Sequence, residues 1–365
     1  MSFERFVYGV LAIHRISPIH KFKLILETTL QYDCSHLVVW ITAAILKGVQ
    51  HLDLRIGNHP KALPSSILDC QTLTVLKIYT FGYDLSVPGI VCLPNLRTLK
   101  LHCIRFLDGD SVKRFFGGCS QLKELALFFC RFTTDHVRVS GTELRKLSIT
   151  SCRGHVVIDA PNLASLTYVC SPSSTDMGVK NLRSLLSIEL WPILMSKPPQ
   201  VLSDIIKGAN NARELILLHS AAKLLTMVGD NPIPTYSKLE RLQLGHCFRD
   251  TWKYLMVWLA NSPELETIIF EKGLIEKNDM EHELHSDVAF PLFSSNVKTV
   301  EVRQFRGHKL ELLLLKYLLE NARVLQKLIL IKDGTTEMKR ELQVSEELLL
   351  LPKASTYCTI ELKEP

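Results

Sequence analysis

The stretch Leu122 to Cys130, LKELALFFC, constrains the fold of this chain more than any other. Leucines at 122, 125 and 127 are followed by a cysteine at 130. In an extended strand alternate residues share a face, so Leu125 and Leu127 point the same way. Leu122 folds in just ahead of the strand, and the small Cys130 tucks its polar atom under the turn that leaves it. One such unit cannot bury its apolar face alone; it needs neighbours above and below. The spacing recurs at Leu144, Leu147, Ile149 and Cys152, and at Leu239, Leu242, Leu244 and Cys247. Relaxed copies start at Val49, Leu73, Leu96, Leu163, Leu185, Ala212, Leu265, Val297 and Leu325, with apolar residues three and five positions on. Successive starts lie 24, 23, 26, 22, 19, 22, 27, 27, 26, 32 and 28 residues apart.

This spacing and cadence are those of a leucine-rich repeat, L-x-x-L-x-L-x-x-N/C with a period of about 20–29 residues. The predicted fold is therefore an α/β leucine-rich-repeat solenoid: a curved parallel β-sheet with helices and loops on its convex side. One continuous arc explains 365 residues better than two or three globular domains of about 150 residues each. The expected divisions are 1–48 as an N-terminal helical and edge-strand cap, 49–289 as the repeats, and 290–365 as lengthened C-terminal repeats and cap.

Within that frame, residues 1–18 read as a helix with Phe3, Phe6, Val7, Val10 and Leu11 on one face. Phe22, Leu24 and Leu26 alternate as the first strand. Ser35 to Gly48 reads as a second helix, with Ser35 as N-cap and Gly48 as its stop, too apolar to lie exposed. A second recurrence supports the register. Cys70, Cys119, Ala209, Ser262 and Ala322 each sit three residues before a repeat start and close a helical segment, because only small side chains fit that corner. The repeats at Leu144 and Leu163 have no helix and are expected to use turns at Gly141 and Ala160-Pro161-Asn162. Ser171–Gly178 and Gly229–Pro234 read as loops. Glu271–Asp287 reads as a charged insertion, and Thr359–Leu362 as a closing strand.

The net charge of +6 is mild, and Lys and Arg are spread among acids instead of forming the basic stripe of a nucleic-acid binder. The cysteines never stand closer than 11 residues apart, so no CxxC exists. They read as reduced core thiols of a cytoplasmic or nuclear protein. No cleavable leader is evident, and the longest apolar run, Leu37–Leu46, is too short for the roughly 20 residues of a bilayer span. No membrane or nucleic-acid partner is expected.

Three passages resemble the plant F-box/leucine-rich-repeat proteins that carry a C-terminal FBD domain. They are FERFV with Trp40-Ile41 and Gly48–Leu54; Leu63-Pro64, Cys70, Leu73 and Leu76 with Leu93–Leu96; and Val297–Val302, Phe305–His308, Leu318–Ala322 and Leu325–Leu328. The resemblance implies the substrate-recognition role of an F-box subunit in a cullin–RING ubiquitin ligase. Family members begin with an F-box of about forty residues that docks on a Skp adaptor. Here only Met1-Ser2 precede FERFV, so adaptor binding by this chain is in doubt. The alternative is a stand-alone binding or decoy protein; a small-molecule sensor is a further one.

Residues flanking the inward positions should face outward on the concave sheet and meet a protein partner: Lys77 and Tyr79, Lys100 and His102, Glu124 and Phe128, Lys146, Glu189 and Trp191, Arg241 and Gln243, Glu301 and Arg303. Aromatics and Arg anchor interfaces. The competing reading packs Phe128 or Trp191 against a loop or neighbouring strand. The sensor reading instead draws Lys77, Lys100, His102 and Arg105 around an anion, as in some hormone-sensing relatives. His282 and His285 between Glu281 and Glu283 do not have the H-E-x-x-H spacing of a zinc site and read as a solvated loop. His246-Cys247 with Asp250 suggests a nucleophile pair, yet Cys247 falls at the repeat's structural cysteine. No nucleophile elbow or phosphate loop is present, so neither catalysis nor a cofactor is expected.

Overall fold

The computed structural model describes residues 3–13, 18–26, 34–57, 63–133, 137–171, 177–192, 200–218, 235–247, 249–275, 296–334, 344 and 346–365. Gly229–Pro234, His282, His285 and most of the Glu271–Asp287 insertion lie outside them. Two compact units are formed, Met1–Leu182 and Arg183–Pro365.

In the first unit a parallel sheet runs in chain order through Lys21–Leu26, His51–Ile56, Val75–Asp84, Thr98–Phe106, Glu124–Phe128, Lys146–Thr150 and Ser165–Cys170. Every repeat start is followed two residues later by its strand. Leu24, Leu54, Ile78, Leu101, Leu127, Ile149 and Tyr168 line up in register as one buried row. Leu125 lies directly between Leu99 and Leu147 in the second row.

The stacking has a backbone cause. The carbonyl just after a start accepts two N–H groups from the next rung: Thr74 and Val75 on Gln50, Arg97 and Thr98 on Thr74, Lys123 and Glu124 on Arg97. The start residue itself donates back to the corner three residues earlier, as Leu73 does to Cys70 and Leu122 to Cys119. A side-chain clasp, not expected from the sequence, reinforces this. Asn95 donates to the Gln71 carbonyl at 2.8 Å, and Asn162 to that of Thr142 at 2.8 Å.

Behind the sheet lie the short 3₁₀ helix Ser65–Asp69 and the helix Gly109–Gly117. The latter is capped by Asp108, whose carboxylate accepts the Ser111 N–H at 2.7 Å. Its Phe115 meets Phe106, which stacks on Phe132 at 5.1 Å. The short repeats reach their strands through the expected turns, Leu144 donating to the Gly141 carbonyl at 3.0 Å and Leu163 to that of Ala160 at 3.1 Å, and they also carry strands where a helix would lie. Val137–Ser140, Val156–Asp159 and Gly178–Lys180 form a second, three-stranded parallel sheet. Gly178 is thus a strand residue and not the end of a loop. The β-branched Val and Ile of these segments suit a pleated surface.

The N-terminal helix covers Phe3–Ile13; of its expected face Val7 and Leu11 are buried, Phe6 and Val10 are exposed, and the side chain of Phe3 lies outside the described residues. Val7 and Leu11 sit one helical turn apart, and Tyr8 bonds His36 at 2.9 Å and meets Trp40 edge-on. The next helix is Cys34–Leu46, so it starts before Ser35, which is not its cap. Gly48 does stop it, with φ +73°. Leu37, Trp40, Ile41 and Ala44 are its buried face.

In the second unit the parallel order is Ser187–Pro192, Glu214–Leu217, Arg241–Leu244, Thr267–Phe270, Thr299–Phe305, Lys327–Lys332 and Thr359–Lys363. Leu242 lies between Leu215 and Ile268, and Thr359–Lys363 closes the order as expected. The helices Gln200–Gly208, Arg249–Ala260 and Lys309–Asn321 pack behind. Corner bonds recur from Ala212 to Ala209, Leu265 to Ser262 and Leu325 to Ala322, and the clasp from Asn211 to Arg183 and Asn296 to Pro263.

Not every corner is small; in the first unit Leu96 donates to Leu93. Leu239 donates to Tyr236, whose ring is fully buried and stacks on Trp258 at 4.9 Å. The Tyr236 hydroxyl donates to the Ile206 carbonyl of the preceding repeat, and burial pushes its pKa well above the usual phenol range. Tyr236→Phe should therefore cost about 1–2 kcal/mol in urea unfolding, the loss of one buried hydrogen bond without loss of packing.

A buried carboxylate holds the end of this unit. Glu311 accepts the N–H of Leu274 at 3.2 Å, Arg306 at 3.0 Å and His308 at 3.4 Å. Gly273, at φ +78°, makes room for it, since a Cβ there would stand 2.7 Å from Glu311 Oε1. Among the described residues no helix is long and apolar enough to cross a membrane.

Candidate interaction surface

In each strand the residues before, between and after the two inward positions turn away from the core. Because the registers match, these outward residues form columns across the strands. In the first unit the last column reads Arg55, Tyr79, His102, Phe128, Thr150. The Arg55 guanidinium lies 4.9 Å from the Tyr79 ring centroid, Tyr79 lies 5.9 Å from His102, and His102 lies 6.3 Å from Phe128. The structure thus gathers Tyr79, His102 and Phe128 into one half-buried ladder that packs across neighbouring strands.

The residue after this column turns left-handed: Cys103 at φ 54°, Phe129 at 53° and Ser151 at 48°. Each such non-glycine residue costs about 1–2 kcal/mol, and the neighbouring strand helps to hold it: Phe129 N–H donates to Thr150 and Ser151 N–H to Val169. This turn carries Phe129 outward, 52% exposed and 5.4 Å from His102. Phe81, in the bulge between Tyr79 and Tyr83, is 58% exposed. Arg55, Phe81 and Phe129 belong to the surface but were not read from the sequence. Arg55 was within reach, since it follows the Leu54 position as Tyr79 follows Ile78. The two phenylalanines depend on a bulge and a left-handed turn that residue spacing does not encode.

The middle column places Lys77 between Asp53 and Lys100. Lys100 reaches Glu124 at 2.9 Å, and Lys146 stands exposed opposite Glu124. Arg105 pairs with Asp84, three residues beyond His102, so the structure does not bring it together with Lys77 and Lys100 around one anion. Asp53 is buried and faces Arg55 at 3.6 Å. Burial and the Lys77 and Lys21 charges lower the His51 pKa, only partly opposed by Asp53.

The second unit's outward residues are tied to each other. Trp191 Nε1 donates to Glu189 at 2.9 Å, and Arg241 pairs with Glu214 at 3.4 Å. Glu271, absent from the expected set, accepts Gln243 Nε2 and Arg303, both at 2.6 Å, while Arg303 also donates to Glu301 at 2.6 Å. The Glu301 bond raises the Arg303 pKa further. This joins Gln243, Glu301 and Arg303 in one network.

Most cysteines of the described residues are buried core groups, while Cys92 and Cys103 are half-buried. Cys130 and Cys152 are buried and donate to backbone carbonyls, including Leu101 and Leu127 of the preceding strands; burial raises the Cys130 thiol pKa. Cys247 is buried as well, which fits the structural position, while the side chain of Asp250 lies outside the described residues.

Comparison with known proteins gives this architecture a family. Residues 37–185 match the model for the LRR repeats of the FBD-associated F-box protein At5g56370, and residues 290–330 match the FBD model. The F-box/FBD/LRR-repeat protein At2g26030 of Arabidopsis thaliana is 26% identical over 389 residues, covering 98% of this chain and 86% of that protein. The putative F-box/FBD/LRR-repeat protein At5g22670 of the same organism is 28% identical, covering 98% and 85%. The Arabidopsis F-box/LRR-repeat protein At4g14103 is 30% identical over 297 residues, covering 76% and 77%. The chain therefore belongs to the F-box/FBD/LRR-repeat family.

Proposed function

We propose that this chain is the recognition part of an F-box-type subunit of a cullin–RING ubiquitin ligase, and that it holds a target protein against the outward strand face of its first unit. The observation that carries the reading is the ladder Arg55–Tyr79–His102–Phe128, extended by the exposed Phe129. Aromatics and Arg dominate the energetics of protein interfaces, and ladder residues already packed on one another lose little side-chain entropy when a partner arrives. The mechanism is positioning. The receptor raises the effective concentration of target lysines near a ubiquitin carrier and makes or breaks no bond itself. The closed network of Gln243, Glu271, Glu301 and Arg303 is less suited to docking, because a partner would have to displace internal bonds.

The test is affinity capture from source tissue with the intact chain and with a Tyr79→Ala/Phe128→Ala variant. Each truncation at a hot spot costs about 2 kcal/mol or more, so captured partners should fall by more than tenfold. The partners should also accumulate in cells when cullin activity is blocked. Partners that are captured equally by the variant, or whose levels ignore the cullin block, would refute the receptor reading.

A further inference from the structure

Beyond the aromatic ladder, the first unit carries a row of arginines. Arg105 pairs in parallel register with Arg131, and Arg131 with Arg153, so consecutive strands bring three guanidinium groups to one rim. Each lies three residues past its strand's last outward position, beyond the left-handed turn that carries Phe129. Asp84 neutralises Arg105 at one end of the row. Arg131 and Arg153 are exposed, and neither has an acidic side chain within ion-pair distance among the described residues. The half-buried Lys77 and the exposed Lys146 on the adjoining face likewise have no acidic side chain within ion-pair distance among the described residues.

Neighbouring strands lie about 4.8 Å apart, so Arg131 and Arg153 stack like charges side by side at a cost that no acidic side chain among the described residues offsets. The side chains are not needed for packing, since the neighbouring residues Cys130, Phe132 and Cys152 fill the core. Gly154, at φ +127°, leaves space where a Cβ would stand 2.4 Å from the Phe132 carbonyl, and this brings the Arg153 backbone close against its neighbour.

Resting on the receptor reading above, we propose that the partner docks through a carboxylate-rich segment of its chain that carries an apolar anchor. Its Asp and Glu side chains bridge Arg131 and Arg153, and its anchor seats between Phe81 and Phe129. Arg forms paired, directional bonds to carboxylates, which suits this row better than it suits a diffuse counter-charge. Asp53, Asp84 and Glu124 interrupt the positive field, so a continuous polyphosphate backbone is disfavoured while a polypeptide of mixed side chains fits.

The test measures binding to the full chain by fluorescence anisotropy. The probe is a fluorescein-labelled glutamate-rich peptide bearing one tryptophan. Comparison probes are the same peptide with glutamine for glutamate, a phosphoserine version, and single-stranded RNA. The glutamate peptide should bind about tenfold or more tightly than the glutamine peptide at low salt, and the difference should shrink as salt rises. Arg131→Glu and Arg153→Glu should each weaken it several-fold. Lys309→Glu, an exposed charge reversal in the second unit, should not. All of these positions are exposed, so melting temperatures should match the parent chain, and a variant that melts early is replaced by Arg131→Gln or Arg153→Gln. Equal binding of the glutamine peptide, tighter binding of the phosphoserine peptide or RNA, or indifference to both arginine reversals would overturn the proposal. If captured partners are lost with Tyr79→Ala/Phe128→Ala but kept with the arginine reversals, the receptor reading stands and the acidic segment falls. If the peptide behaves as expected while captured partners ignore the cullin block, the reverse holds.

Discussion

Leu125→Ala should lower the stability of the first unit by about 3 kcal/mol, within the roughly 2–5 kcal/mol range for such truncations. Leu125 is 1% exposed, and its in-register neighbours Leu99 and Leu147 are fully buried. Its side chain therefore has core on both sides along the stack as well as behind it. Neighbouring strands cannot close the gap without breaking the paired N–H bonds on the Arg97 and Lys123 carbonyls, which fix the spacing of the rungs. The cavity should stay open. Urea unfolding followed by fluorescence should show the midpoint shift, whereas Lys146→Ala one strand over, on the outward face, should stay within about 0.5 kcal/mol. Equal effects at the two positions would mean that the stack is not the source of stability.

Glu311→Gln should destabilise the second unit by about 2–3 kcal/mol. Glutamine can still accept from Leu274, but its amide nitrogen then faces the N–H groups of Arg306 and His308, leaving two buried donors unpaired at about 1–3 kcal/mol each. Lower cost for burying a neutral group offsets part of this. Glu311→Ala abandons all three donors and should cost more. The substitution also has a pH signature. Burial raises the Glu311 pKa, outweighing the three N–H bonds and the nearby Arg306 charge. The native state therefore keeps its proton above the unfolded value of about 4.3. Between the unfolded and the native pKa the native state holds more protons, so this contribution is full at low pH and is lost as pH rises through the native pKa. Subtracting the stability of Glu311→Gln from that of the parent chain, pH by pH, should give a difference that declines with rising pH. A flat or rising difference would contradict the burial argument.

The rungs were legible because their signal is redundant. Leu125 and Leu127, or Leu242 and Leu244, are read twice, once by alternation within a strand and once by recurrence a repeat later. The outward residues followed from the same frame, which is why Tyr79, His102 and Phe128 fall in one column. The small corner residues also held wherever they were expected, although Tyr236 shows that an aromatic fits when its hydroxyl finds the preceding repeat's carbonyl. The asparagine clasp was visible in principle: Asn95, Asn162, Asn211 and Asn296 each stand just before a start. The apolar spacing that defines the repeat does not include that position, so it carries no periodic signal of its own. Glu311 was not legible. A lone acid in the leucine-rich helix Lys309–Asn321 looks like its solvent-facing residue, and only the three converging N–H groups show otherwise. The second sheet at Val137–Ser140, Val156–Asp159 and Gly178–Lys180 was hidden because each segment is too short for a period to emerge.

The carbonyl that ties each rung to the next belongs to the main chain, and the asparagine clasp likewise reaches a main-chain oxygen. Cohesion of the stack therefore asks little of the side chains that face outward. Positions such as 77, 79, 100 and 128 can vary in size and chemistry with little penalty to folding, so duplicated genes can diverge in what they bind on an unaltered scaffold. The same property makes the scaffold a reasonable starting point for display libraries randomised at those columns.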